Sequence, residues 1–323
     1  MSVPIIRLRR RLEQRLWGGT TLAHWLNLTD APHQLAETWE IYNDNAIVNG
    51  PLHGQTLRQA VAHYGPRLVG QASFDRYGAE FPLLAKFIDA AQPLSVQVHP
   101  DDTYAHTHEA HTGFHGKTEA WYILNCDTNS DVIHDFVHAI SRQHYADAIH
   151  DGTLDGLLRH VPVIPGDTVF VPAGTVHAIN AGIMLFEIQQ TSDLTYRVYD
   201  YNRRDAQGNL RDLHIAQALD VSYLGQPRSA LTTPIDRGNG VRELVRSEFF
   251  VMEHIHHTQA CTWARPGDSF QILTLIDGAM TITSDNESHQ LTRGDSLIIP
   301  ADMQAYQSTP DNHAIWLRCW VPG

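Results

Sequence analysis

Apolar residues along most of this chain come in short runs and not in helical stripes. Trp121-Tyr122-Ile123-Leu124, Thr168-Val169-Phe170-Val171, Ile183-Met184-Leu185-Phe186 and Ser296-Leu297-Ile298-Ile299 are each followed within a few residues by turn chemistry. Such runs predict strands folded into a barrel or sandwich. A helical period appears at residues 56–64, at 138–149 with Leu154, Leu157 and Leu158 continuing the spacing, and at 213–221. The expected fold is mainly β with inserted α-helical segments.

One strand-and-turn pattern occurs twice. Gly166-Asp167-Thr168-Val169-Phe170-Val171-Pro172-Ala173-Gly174-Thr175-Val176-His177 returns as Gly294-Asp295-Ser296-Leu297-Ile298-Ile299-Pro300-Ala301-Asp302-Met303-Gln304-Ala305. Each copy reads as a tight turn, a buried strand and a proline that ends it. The first copy ends on His177, the second on Ala305. The first resembles the second motif of cupin barrels, which implies that His177 points inward and binds metal. The repeat implies two cupin-like β-barrels, a bicupin. The catalytic barrel with helical insertions is expected over 1–225, a polar linker over 226–240 and a metal-free barrel over 241–323.

Composition narrows the class. The chain has 323 residues, 42% hydrophobic and 18% charged, enough for about two domains. A net charge of −13 opposes bulk attraction to nucleic acid or an anionic membrane. No apolar run reaches the roughly 18–20 residues of a spanning helix. Cys126, Cys261 and Cys319 are widely spaced and form no CxxC, which fits a cytoplasmic protein. The arginine-rich stretch 4–12 lacks the apolar core of a secretion signal and reads as a first strand.

Gln97, His99, Glu119 and His177 compose a nitrogen and oxygen ligand set suited to zinc. Gln97 and His99 are two apart and share a strand face, as does Ser95; Glu119 opens the neighbouring run. A rival cluster, His106, His108, His111 and His115, has no clean metal spacing and reads as a mobile segment at a cavity mouth. His134, His138, His144 and His150 are expected on exposed faces of the inserted helix.

Longer stretches carry a more specific resemblance. Pro93-Leu94-Ser95-Val96-Gln97-Val98-His99-Pro100-Asp101, Gly116-Lys117-Thr118-Glu119, Pro172 to Ala178 and Ser192-Asp193-Leu194-Thr195-Tyr196-Arg197 are similar to type I mannose-6-phosphate isomerases. So are Leu16-Trp17-Gly18-Gly19 and Glu37-Thr38-Trp39-Glu40-Ile41. The resemblance implies one zinc per chain on Gln97, His99, Glu119 and His177, and a sugar-phosphate substrate. It also implies a catalytic role for Arg197, with Lys117, Glu187 and Ser95 in the pocket. The implied reaction interconverts mannose 6-phosphate and fructose 6-phosphate through an enediol or enediolate. Glu187 is the candidate base, while Lys117, Arg197 and Ser95 are candidates for holding substrate. Asp193 is expected to orient Arg197, with Tyr199 and Arg203 at the rim. A monomer or weak homo-oligomer is expected. Two other functions remain open to the residues: a metal-dependent cupin oxygenase on His99, Glu119 and His177, and a non-catalytic sugar-binding cupin.

Overall fold

The computed structural model describes residues 2–204, 208–284 and 287–323. Three sheets dominate it. The first runs Arg11–Gly19, Leu35–Ile41, Leu83–Ala90, Ile183–Gln190, Glu119–Cys126, Thr168–Val171 in lateral order. The second runs Tyr196–Tyr199, Val96–Val98, His177–Ile179, Asp131–Phe136, Leu158–Pro162. The third is built on the long antiparallel strands Gln271–Thr283 and Ala305–Trp320. The fold is mainly β, as expected. Among the described residues no ladder closes into a barrel.

Alternation sorts the first sheet into two buried faces. Leu83, Ala85, Phe87, Ala120, Tyr122, Met184, Phe186 and Ile188 lie on one side and join an apolar cluster with Leu57, Val61, Phe250, Met252, Phe270 and Ile272. The other side carries Lys86, Glu119, Trp121 and Glu187 among apolar residues. There Ile88, Trp121 and Leu185 pack with Val132 and Ile179 of the second sheet. The second sheet covers its far face, with Val96, Val98, Ala178 and Val198, using Tyr145 and Ala218 from two helices.

Two of the expected helices start where a side chain caps them. Thr56 and Gln59 form a reciprocal capping box before Leu57–Tyr64. Ser141 accepts from the His144 amide, so the expected helix over 138–149 begins later, as Arg142–Asp151. The third helix is Ile215–Val221. The short helices Pro66–Val69 and Gln71–Tyr77 escaped the periodic reading because Gly65, Gly70 and Gly78 interrupt them. Gly70 has φ +89°, and a Cβ there would sit 2.1 Å from the Asp268 carbonyl oxygen. Only glycine permits that approach to the third sheet's loops.

The sequence repeat is matched bond for bond. The Gly166 amide donates to Ile123 O and Gly294 to Leu275 O; in return Ile123 donates to Asp167 O and Leu275 to Asp295 O. Asp167 Oδ2 accepts from Ile164 N at 2.9 Å, and Asp295 Oδ2 from Thr292 N at 2.8 Å. In register, Glu119 opposes Val171 while Gln271 opposes Ile299. Gln271 therefore occupies in the second copy the place of Glu119 in the first.

The stretch 226–240 is more structured than a polar linker. The Phe170 amide donates to Ala230 O, Leu231 bridges Val169, and Ile235–Gly238 begins the third sheet. At the N-terminus, Ile6 pairs with Ile298 and Ile5 is buried in the third sheet's own cluster. The first extended ladder strand starts only at Arg11.

Phe81 and Phe270 meet with ring centroids 4.4 Å apart in the shared cluster. Phe270→Ala is expected to cost about 3–5 kcal/mol while leaving a single unfolding transition. Urea denaturation followed by both tryptophan fluorescence and circular dichroism checks this; two separated transitions would contradict a common core.

His254 packs against Tyr122 with ring centroids 5.8 Å apart, and its Nδ1 accepts from Arg242. Burial first, then Arg242, lowers its pKa to about 4. The unfolded chain takes up this proton near pH 6.5 and the folded chain only near 4. Stability is therefore expected to fall across that interval, by at most about 3 kcal/mol from this residue, and to level off below it. In denaturation at several pH values, His254→Leu should reduce the slope between those limits.

Candidate active site

Cross-strand neighbours face the same side of a sheet, so the strand registers fix which side chains meet. Across the second sheet runs the row Arg197, Gln97, His177, His134. Across the first runs Trp39, Lys86, Glu187, Trp121, Val169, and beside it Leu84, Gln189, Glu119, Val171. Between these rows lies a cavity of about 320 Å³. Ser95, Gln97, Lys117, Glu187 and Arg197 all line it.

His99, Glu119 and His177 form a buried group whose ligand atoms lie within 4.8 Å of one another. His177 Nε2 is 3.3 Å from Glu119 Oε1, and His99 Nε2 is 3.5 Å from Glu119 Oε2. Each imidazole turns its Nδ1 to a main-chain carbonyl at 2.8 Å, Leu194 O for His99 and Thr175 O for His177. A proton on Nδ1 leaves the Nε2 lone pair facing the group, the arrangement by which metal-binding histidines are held. His177 Nε2 has no hydrogen-bond partner. A buried orphan nitrogen beside a carboxylate and a second imidazole fits a divalent cation.

Lys117 supplies a positive charge to this group, its Nζ 2.7 Å from Glu119 Oε2 and 3.0 Å from His99 Nε2. Burial and then Lys117 push the His99 pKa down to about 3. Burial likewise lowers His177, against the pull of Glu119. For Glu119 burial acts upward, but Lys117 and the two histidines outweigh it and hold the carboxyl well below its usual range. Neutral imidazoles beside an ionised carboxylate are the protonation states that metal ligation requires.

Glu187 accepts from Trp121 Nε1 at 2.8 Å and lies 3.0 Å from Lys86 Nζ. Lys86 also reaches Glu37 Oε2 at 3.4 Å, and Glu37 accepts from Trp39 Nε1. Burial, then Glu119, raises the pKa of Glu187 in spite of Lys86. Burial pulls Lys86 down, but Glu187 and Glu37 outweigh it and keep the amine charged.

At the other side of the cavity Arg197 donates from NH1 to Asp212 O at 2.9 Å, and its buried Nε has no partner. Among the described residues no carboxylate lies within ion-pair distance of it, unlike Arg211 and Arg203, which both pair with Asp200. Burial and the nearby Arg211 lower its proton affinity. An arginine left without an acid in a lined cavity suits an anionic group of a ligand.

Comparison with known proteins decides the family. The model for the phosphomannose isomerase type I catalytic domain matches residues 5–156, and that for the mannose-6-phosphate isomerase cupin domain matches 241–311. The mannose-6-phosphate isomerase ManA of Bacillus subtilis is 36% identical over 294 residues, 89% of this chain and 90% of that one. The chain belongs to the type I phosphomannose isomerase family. The mannose-6-phosphate isomerase of Streptococcus mutans is 35% identical over 316 residues, 96% of each chain. The crystal structure of mannose 6-phosphate isomerase from Bacillus subtilis superposes with a TM-score of 0.87 at 30% identity, covering 98% of this chain and 99% of that one. The fold alone extends to a phosphomannose isomerase mutant of Salmonella typhimurium, with a TM-score of 0.80 at 18% identity, covering 99% of this chain and 100% of that one.

For this family member, several residues stand elsewhere than their sequence suggested. Arg197 is oriented by the Asp212 carbonyl; Asp193 lines the cavity without bonding to it. Arg203 is turned to Asp200 and to Pro93 O, and Tyr199 borders an outer groove. His134 is a fully buried strand residue, not a helix-surface one, with Nε2 on Phe170 O and Nδ1 facing Arg159. The histidine-rich segment forms the helix Asp102–His108 and a 3-10 turn, Ala110–Thr112. Lys86 and Glu37 were missed. The one available signal was a lysine inside the otherwise apolar run Leu83-Leu84-Ala85-Lys86-Phe87-Ile88.

Lys86→Met leaves the buried Glu187 and the nearly buried Glu37 without their shared cation. The expected loss is about 3–5 kcal/mol at neutral pH, shrinking in acid as the two carboxylates protonate. Denaturation at pH 7 and pH 5 measures it; an equal loss at both values would refute the charge argument.

Proposed function

We propose that this cavity interconverts mannose 6-phosphate and fructose 6-phosphate, with Gln97, His99, Glu119 and His177 holding one zinc ion. The reading is carried above all by the buried group of His99, Glu119 and His177, which meets through Lys117 a cavity that Lys86 and Glu187 also line. A divalent ion on those ligands supplies a Lewis acid for the adjacent C1 and C2 oxygens of the sugar. The rest is assigned to side chains. Glu187 removes the C2 proton of the aldose and returns it to C1, giving the ketose. Its raised pKa suits a base that must both take and release a proton. Trp121 and Lys86 hold that carboxylate in place between turnovers. The net reaction also moves a proton from O2 to O1, and Lys117 is assigned to donate at these oxygens. Arg197, lacking an acid partner, takes the phosphate, with Ser95 as a further donor.

The same reading makes the chain a bicupin, with a catalytic unit over 1–225 and a structural unit over 241–323 joined through 226–240. Gln271 stands where the first unit has Glu119, and its Oε1 accepts from Tyr306, which supports a packing role for the second unit. Three free thiols favour a cytoplasmic location, and we assign a monomer or weak homo-oligomer there.

A coupled assay with mannose 6-phosphate tests the function. Stripping metal with a chelator should abolish turnover and zinc should restore it; full activity in metal-free protein would overturn the zinc assignment. Glu187→Gln is expected to lower kcat by about 10²–10⁴. Arg197→Ala is expected to lower kcat/KM by about 10–150-fold, the worth of one or two charged hydrogen bonds. Variants within a few-fold of the parent would remove those assignments.

A further inference from the structure

A second group of potential ligands lies outside the catalytic cluster and shares no residue with it. Asp102 and His106 stand one turn apart on the helix Asp102–His108, so their side chains project from the same face. Beyond the 3-10 turn Ala110–Thr112, Gly113 adopts φ +73° and turns the chain back. That reversal sets His115 against His106, with Nε2 of His106 3.0 Å from Nδ1 of His115. All three ligand atoms, counting a carboxylate oxygen of Asp102, lie within 4.8 Å of one another.

We propose that Asp102, His106 and His115 form a second divalent-metal site, taking zinc or a similar borderline cation. Two imidazole nitrogens bound to one zinc at about 2.0–2.1 Å stand roughly 2.9–3.4 Å apart, the separation already present between His106 and His115. The carboxylate is held from behind, as ligating carboxylates are. Asp102 Oδ1 accepts from Gly116 N at 2.9 Å and Gln190 Nε2 at 3.0 Å, and Oδ2 accepts from Arg76 at 2.7 Å. Burial acts upward on this carboxyl, but Arg76, Gln190 and the Gly116 amide keep it below its usual range and so ionised. Burial also lowers His115, which favours its neutral, ligating form. His106 is exposed, leaving room for water to complete the coordination.

The site is tied to the catalytic strand. Gln190, which donates to Asp102, accepts through Oε1 from Thr118 N, and His115 O accepts from Ser192 Oγ. Metal bound there fixes the segment leading to Lys117 and Glu119.

Equilibrium dialysis of the full-length protein against zinc tests the proposal. His106→Asn and His115→Asn should each bind one zinc equivalent fewer than the parent, or weaken that equivalent at least ten-fold. His111→Asn, an exposed histidine on the same turn, should leave it unchanged. The count is a difference from the parent, so it is independent of occupancy at His99, Glu119 and His177, whose variants His99→Asn and His177→Asn should retain this equivalent. Parent-like zinc binding in both His106→Asn and His115→Asn would overturn the site, as would an equal loss in His111→Asn.

Discussion

Charge compensation inside a buried cavity is the constraint on which the rest of this structure depends. Glu119 and Glu187 are buried and Glu37 nearly so on the inner face of one sheet, and ionised carboxylates there are tolerable only with cations in contact. Lys86 serves Glu37 and Glu187, while Lys117 serves Glu119. The two lysines act differently. Lys86 lies between two acids that together outweigh its desolvation, so it is a fixed counter-charge. Lys117 lies between an acid and the imidazole of His99, where a cation on the same ligands would compete with it. The positive charge in the pocket is therefore divided between a fixed part and one that bound metal can displace.

Such a charged face needs an apolar one behind it. The strands Leu83–Ala90 and Ile183–Gln190 are buried along their whole length on both sides. Their outer residues find apolar cover only because the helices around Leu57–Val69 and the third sheet pack on them together. The second copy of the strand-and-turn pattern thus has a physical task whether or not it binds anything. Its turn is built as in the first copy, but Gln271 replaces the acid and is satisfied by Tyr306. Nearby Arg318 pairs with Glu253 in the interior. Gln271 and Glu253 are thus paired within the protein, whereas in the first copy His177 Nε2 is left open.

The legible part of the site was the part written in local spacing. Alternation put Ser95, Gln97 and His99 on one face, and Gly-Asp with a following proline marked a strand that recurs, as the hydrogen bonds of both copies bear out. Glu119 at the head of an apolar run read correctly as the start of a strand. Partners that depend on register between distant strands were not legible. Lys86 meets Glu187 because their strands pair antiparallel across nearly a hundred residues of chain, and nothing near Lys86 in sequence announces that acid. His134 was misjudged for a related reason. It lies close to a helical period, yet it belongs to Asp131–Phe136, where Asp135 at φ 62° breaks the strand's regular course and hides its alternation.

Register also explains why the cavity is polar at one end and cationic at the other. Arg197 enters the row of Gln97 and His177 because Tyr196–Tyr199 pairs with Val96–Val98 at the edge of the second sheet. An edge strand leaves one side open, and His214 meets it there, its amide donating to Arg197 O and its Nδ1 accepting from Arg197 N. Asp200 pairs with both Arg203 and Arg211 and offsets one of their two charges, while Arg197 is presented without an acid. Removing Asp200 would not simply add positive charge to the pocket; it would leave Arg211, which also lines the cavity, free to compete with Arg197 for an anion entering it. If Arg197 takes the phosphate as proposed, selectivity for where that anion sits rests on an acid that need not touch it.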